Sequence, residues 1–186
     1  MNRVVVIGPP GSGTRTFSDR LARALGATVV DLGTLFRAPG EEPATTPEFR
    51  SRVVDAISSS PRWVVVGNHV QVADLTHRSA DTIVWLDLGR RHTVTTVARR
   101  ALGSALPRTL RRGPATDAGH VAGRERWRDL FHPRHGAIAG AWRAHPRHRA
   151  TFEELSSTPL WLDTEVHRLR HPADVEAFLA GVGDDA

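Results

Sequence analysis

Val4-Val5-Val6-Ile7-Gly8-Pro9-Pro10-Gly11-Ser12-Gly13-Thr14-Arg15-Thr16 is the stretch that decides the architecture of this chain. A β-branched apolar run stops at a glycine-rich turn, and a helical pattern starts directly behind it. Phe17, Leu21 and Leu25 recur every four residues and form one apolar helix face. Strand, glycine loop and helix in that order are the context in which the G-x-x-x-x-G spacing from Gly8 to Gly13 reads as a phosphate-binding loop. Glycines at 8, 11 and 13 let the backbone take positive φ and close around an anion. The N–H groups of the loop and of the following helix turn then face the phosphate. The alternative, a plain strand-to-helix turn, does not need three glycines at this spacing.

The loop is a degenerate Walker A motif. In the full pattern a lysine follows the second glycine and a serine or threonine follows the lysine; here Thr14 and Arg15 stand in those places. Composition sharpens this loss. The chain has 25 basic residues besides its histidines and every one is arginine, so no lysine from elsewhere can substitute. Only an arginine can. Arg15 is the first candidate, because a guanidinium clamps a phosphate with two hydrogen bonds. One step along a helix turns a side chain by about 100°, so it cannot simply occupy the lysine position. The alternative has Arg15 pointing to solvent. Thr16 is the candidate hydroxyl for a phosphate or Mg²⁺, its alternative being a helix-surface threonine. The nucleotide-binding set is therefore Gly8, Pro9, Pro10, Gly11, Ser12, Gly13, Thr14, Arg15 and Thr16.

Composition sets the frame. A length of 186 residues suits one domain, 1–186, around one core. Hydrophobic content of 40% with 24% charged residues is that of a globular protein. Without cysteine, disulfides and thiolate metal sites are excluded. The first residues read as a strand rather than a basic, apolar leader, and no apolar run approaches the ~18 residues of a membrane span. The expectation is a cytoplasmic protein with no membrane partner. Its oligomeric state is not legible. A net charge of +5 is modest for a nucleic-acid binder.

In chain order, strands are expected at Arg3–Ile7, Thr28–Asp31, Trp63–Asn68, Thr82–Asp87 and Pro159–Asp163. Between them lie a helix ending at Gly26, and a helix begun by Thr46 as cap with Pro47 behind it and Phe49, Val53 and Ile57 inward. A helix over Arg90–Leu106 follows, then residues 107–124, rich in Pro, Gly and Arg, as a lid or mobile loop. Glu125–Leu155 reads as helix in pieces, broken at Pro133 and Pro146, and Pro172–Val182 as a closing helix. Trp85, Trp127, Trp142 and Trp161 fall on apolar positions and read as core. Alternating strands and helices imply an α/β fold with a parallel sheet covered on both faces. Asp31, Asn68, Asp87 and Asp163 would then gather at the rim where ligands bind in such sheets.

Gly8–Thr16, Leu35-Phe36 with Pro39-Gly40, Trp63–Asn68, Ala80–Asp87 and the pair Arg99-Arg100 together carry a resemblance. The chain resembles the P-loop kinases of the adenylate-kinase-like group, and within it the small bacterial DNA topology modulation proteins. The resemblance covers residues 1–112 well and the rest loosely. It implies a P-loop NTPase three-layer sandwich whose five-stranded parallel sheet has order 2-3-1-4-5, with helices on both faces and a small arginine-bearing lid. It further implies phosphoryl transfer from ATP, with Mg²⁺, to a small-molecule acceptor. Three departures stand out: Thr14 for the loop lysine, Val66 for the Asp of an Asp-Gly-Asn sequence after the third strand, and Gly33 for an acidic residue near the end of the second.

The candidate catalytic residues are Arg15, Asp31, Arg99, Arg100, Arg108 and Arg112. Asp31 is the best carboxylate left for Mg²⁺ or for an acceptor hydroxyl, and its alternative is a helix cap. The arginines from Arg99 through Arg111 and Arg112 would close over the triphosphate; their alternatives are a solvated face or a polyanion patch. Arg37, Asn68, His69 and Arg78 are the candidates for the acceptor. The pairs His132/His135 and His145/His148 carry H-x-x-H spacing without a carboxylate cluster and read as a polar kink rather than zinc ligands. Three functions follow: an ATP-dependent small-molecule kinase, a nucleotide-binding module with little or no turnover, and an arginine-mediated nucleic-acid or polyanion binder.

Overall fold

The computed structural model describes residues 1–38, 40, 42–105, 137–156, 161 and 164–184. The chain runs β1 (Arg3–Ile7), α1 (Thr14–Leu25), β2 (Thr28–Asp31), α2 (Leu32–Phe36), α3 (Thr46–Ser58) and β3 (Trp63–Val66). A 3-10 turn (Val70–Val72), α4 (Ala73–Ser79), β4 (Thr82–Leu86) and α5 (Arg90–Ala105) follow, then α6 (Ala137–Ser156), β5 (Glu165–Leu169) and α7 (Pro172–Asp184). The five strands form one parallel sheet of order β2-β3-β1-β4-β5, the order the resemblance implied.

β1 is central because it is apolar on both faces. Val4 and Val6 join Phe17 and Leu21 of α1 and Leu179 of α7 on one side of the sheet. Val5 and Ile7 join Phe49 and Val53 of α3, Val72 and Phe152 of α6 on the other. Each such side chain contributes about 1.5–3 kcal/mol by leaving water. α1 stops at Gly26, whose φ of 61° lets its N–H reach the Ala22 carbonyl. α3 is capped one residue earlier than expected: Thr45 is its N-cap, and its N–H and hydroxyl both donate to the Glu48 carboxylate at 2.9 and 2.8 Å.

The strand that closes the sheet is Glu165–Leu169, paired with β4 in the register Thr82↔Glu165 to Leu86↔Leu169; of the expected Pro159–Asp163 only Trp161 lies within the described residues, outside any strand. An edge strand pairs on one side only and stays half-exposed, so it needs no continuous apolar run. Arg168 holds it in place. Nε and Nη2 of Arg168 donate to Asp87 Oδ2 at 2.9 and 2.6 Å, and its guanidinium carbon lies 3.9 Å from the Trp85 ring centroid. Trp161 is buried beside α4 instead, its Nε1 donating to His77 Nδ1 at 2.9 Å.

Two further expectations fail. α6 runs unbroken through Pro146, and Trp142 on that helix is 46% exposed rather than core. Pro146 has no N–H for the carbonyl of Trp142, and Arg90 supplies donors to that carbonyl while its guanidinium covers the indole ring. The expected lid at 107–124, Trp127, Pro133 and the first of the two histidine pairs lie outside the described residues. Among the described residues, no helix is long and apolar enough to cross a membrane.

Candidate functional site

β1 delivers Gly8 to the carboxyl rim of the sheet, and the loop behind it is tightly held. The Ser12 N–H donates to the Pro9 carbonyl at 3.0 Å. Gly11 and Gly13 have φ of 89° and 86°, conformations that L side chains rarely adopt. A Cβ at Gly8 would lie 2.5 Å from Ser12 Oγ, and one at Gly11 would lie 2.5 Å from Val97 Cγ2 and 2.8 Å from the Thr93 carbonyl oxygen. The loop is therefore pressed against β4 and α5 with room for backbone alone. Ser12 Oγ is buried beneath it with no hydrogen-bond partner among the described residues.

Gly13 caps α1 with no side-chain hydrogen bond, and the first turn carries no acid. The opening N–H groups of a twelve-residue helix thus keep their positive end for an outside anion. A loop with no room for a Cβ at Gly8 or Gly11, an orphan hydroxyl and an uncapped helix fit the phosphates of ATP. Thr14 does not restore the lysine: its methyl lies 3.0 Å from where a Gly8 Cβ would be, turned onto the loop's own backbone. Thr16 is exposed on α1.

Arg15 turns toward the end of β2, where its Nη2 pairs with Asp31 Oδ2. The other oxygen of Asp31 caps α2, accepting the N–H groups of Gly33 at 2.8 Å and Thr34 at 3.3 Å. Both carboxylate oxygens are engaged. Asp87, at the end of β4, is buried and bound by Arg168, with Arg149 at 3.7 Å. The end of β3 is the apolar, buried Val66. Among the described residues, no three His, Cys, Asp or Glu side chains gather for a metal.

The acceptor candidates separate. Asn68 is at the loop, its Nδ2 donating to the Gly8 carbonyl at 2.6 Å. His69 packs between Phe36 and Phe49, ring centroids 5.2 and 5.1 Å away, and burial holds its imidazole below the usual range. Arg37 closes α2 on the same rim. Arg78 does not join them. It lies in the last turn of α4, three residues before Asp81, whose N–H donates to the carbonyl of Arg3, so it sits toward the amino end of β1. Arg99 is exposed on α5, two residues beyond the Val97 that touches the loop; Arg100 is on the same helix, its side chain outside the described set. Arg108, Arg111 and Arg112 lie outside the described residues, so the nucleic-acid alternative has no structural observation behind it. Thr93 and Val97 of α5 lie against Gly11 of the loop; a threonine and a valine on a helix face carry no local signal of that contact.

No family model matches the chain. A shikimate kinase of Corynebacterium diphtheriae is 30% identical over 120 residues, 56% of this chain and 69% of that protein. An adenylate kinase of Pseudarthrobacter chlorophenolicus is 44% identical over 45 residues, only 23% of its own length. Among solved structures, a shikimate kinase from Acinetobacter baumannii in complex with shikimate matches with TM-score 0.55 at 13% identity, over 98% of this chain and 90% of that one. A deoxyadenosine kinase from M. mycoides matches with TM-score 0.52 at 9% identity, over 98% and 97%. At those identities the structures share the fold; the first curated relative carries the kinship. The chain belongs to the P-loop kinase family that includes the Corynebacterium shikimate kinase.

Proposed function

We propose that this protein binds ATP at Gly8–Thr16 and passes its terminal phosphoryl group to a small acceptor held at the rim formed by Arg37, Asn68 and His69. The observation that carries this reading is the cradle itself: positive-φ Gly11 and Gly13 leading into an uncapped α1, at the carboxyl end of the central strand. In the transfer, an acceptor oxygen bonds to the γ-phosphorus as the bond to the β–γ bridging oxygen breaks, and ADP leaves. Such a transition state asks for positioning and for charge stabilisation more than for covalent chemistry by the protein. Here that charge comes from loop N–H groups, from Arg15 and from the arginines Arg99, Arg100, Arg108 and Arg112. The narrower likeness to DNA topology modulation proteins leaves the acceptor unnamed.

One observation favours a second reading, a nucleotide-binding module with little turnover. Asp31, the carboxylate best placed for catalysis, has both oxygens engaged. Calorimetric titration of ATP and ADP onto the wild-type protein and onto Thr14→Lys tests both, followed by an ATP-consumption screen over hydroxyl acceptors that include shikimate and nucleosides. ADP binding that Thr14→Lys tightens about tenfold or more, the worth of one charge-assisted hydrogen bond, is expected. Binding without consumption of ATP selects the module. No binding by either protein overturns the nucleotide reading altogether.

A further inference from the structure

We infer that the polyphosphate is held here without a divalent cation, the guanidinium of Arg15 standing where other P-loops use a metal ion. This rests on the nucleotide reading above and deepens it. In the full loop pattern, the serine or threonine after the lysine offers its hydroxyl to Mg²⁺. Arg15 occupies that position, and a guanidinium has donors only, with no lone pair for a metal.

The rim carboxylates among the described residues are likewise engaged. Asp31 Oδ2 takes Arg15, and Oδ1 takes the Gly33 and Thr34 N–H groups. Asp87 takes Arg168 and Arg149. A metal ion reaching Asp31 would compete with the Arg15 ion pair at Oδ2 or with the α2 cap at Oδ1. By contrast, Arg15 already delivers a fixed positive charge in the first turn of α1, beside N–H groups that no side chain caps. One cation serves both partners: it neutralises Asp31, which would otherwise repel a phosphate, and its guanidinium keeps further N–H donors for an anion.

The test is calorimetric titration of ADP in EDTA and again in excess MgCl₂, on the wild type, Arg15→Ser and Arg15→Lys. Arg15 is half-exposed, so neither substitution empties the core; a thermal melt of each variant checks that it is folded. For the wild type, the two dissociation constants are expected to agree within about threefold. Arg15→Ser frees Asp31 and restores a hydroxyl; it is expected to bind about tenfold more weakly in EDTA and to be rescued by Mg²⁺. Arg15→Lys keeps a cation and is expected to stay insensitive to Mg²⁺. A wild type tightened more than about tenfold by Mg²⁺, or an Arg15→Ser protein as indifferent to Mg²⁺ as the wild type, overturns the inference while leaving nucleotide binding intact. Absence of ADP binding in both buffers overturns the nucleotide reading, and the inference with it.

Discussion

Arg90 donates two hydrogen bonds to the carbonyl oxygen of Trp142, from Nε at 2.9 Å and from Nη2 at 2.6 Å. That carbonyl is the acceptor which Pro146, four residues on, leaves empty in α6. The guanidinium carbon also stands 3.5 Å from the centroid of the Trp142 ring. A residue at the start of α5 thus completes the hydrogen-bond ladder of a different helix, and α6 continues where its proline would break it.

The repair is separable by a double-mutant cycle. Arg90→Ala is expected to destabilise the wild type by about 2 kcal/mol, from the lost hydrogen bonds and cation–π contact. In a Pro146→Ala background the backbone N–H at position 146 satisfies Trp142, and the cost of Arg90→Ala is expected to fall by about 1 kcal/mol. Urea denaturation of the four proteins reads the coupling. Equal costs in both backgrounds would refute it.

Asn68 ties the end of β3 to the first residue of the loop through its 2.6 Å bond to the Gly8 carbonyl. Asn68→Ala is expected to cost about 1–2 kcal/mol. Asn68→Asp is expected to cost more, because an acceptor replaces the donor and faces another acceptor. Chemical denaturation gives the order of the two, and ADP titration should show affinity falling in the same order.

Gly11 and Gly13 share a positive φ but not their surroundings. A Cβ at Gly11 meets Val97 and Thr93, whereas one at Gly13 meets nothing within 4 Å. Gly13→Ala should therefore carry backbone strain alone, about 1–2 kcal/mol. Gly11→Ala adds a clash with α5 and should cost roughly 3 kcal/mol or more. Comparable melting temperatures for the two variants would contradict this packing.

Acid is expected to loosen the fold through His77. Burial pushes its imidazole down to about 4, and the neutral ring accepts the Trp161 N–H. In the unfolded chain the same ring titrates at 6.5. As pH falls below the unfolded value, the unfolded state gains a proton that the folded state refuses. Stability is therefore lost from about pH 6.5 down to about 4, by roughly 3 kcal/mol, and this group removes no more below that. His69 and His148 are shifted the same way by burial and add to the slope. The capping and ion-paired carboxylates, Glu48, Asp74, Glu153, Asp174 and Glu176, act at lower pH because they hold their charge there. His77→Gln keeps an acceptor for Trp161, and the wild-type-minus-variant difference across pH 7 to 4 isolates the His77 share. A difference flat with pH would exclude this linkage.

Much of the fold was legible because its determinants are local. β1, the glycine loop and α1 announce themselves within one stretch, since a buried parallel strand must be apolar on both faces and a cradle must lack Cβ atoms. β3 and β4, buried throughout, follow from the same rule, whereas β2, an edge strand with only Val30 buried, was read from its short Val-Val run. The fifth strand was not legible: at the sheet edge Glu165–Leu169 pairs once and carries charge, while the more apolar run around Trp161 draws attention to itself. In the candidate site, Gly8, Gly11, Gly13 and Asn68 could be named from the sequence, but the bond from Asn68 to the Gly8 carbonyl could not.

By itself, then, the sequence determined a parallel α/β sheet with a phosphate cradle at the end of its first strand, and the loss of lysine from that cradle. Only the tertiary structure decided which partner each polar or charged group takes. Arg15 meets Asp31 across 16 residues of chain, Arg90 meets Trp142 across 52, Asn68 meets Gly8 across 60 and Arg168 meets Asp87 across 81. Periodicity and turn chemistry act over a few residues, and they report what each segment buries. A guanidinium binds whichever oxygen the packed sheet brings within about 3 Å, and that choice exists only once the strands have assembled.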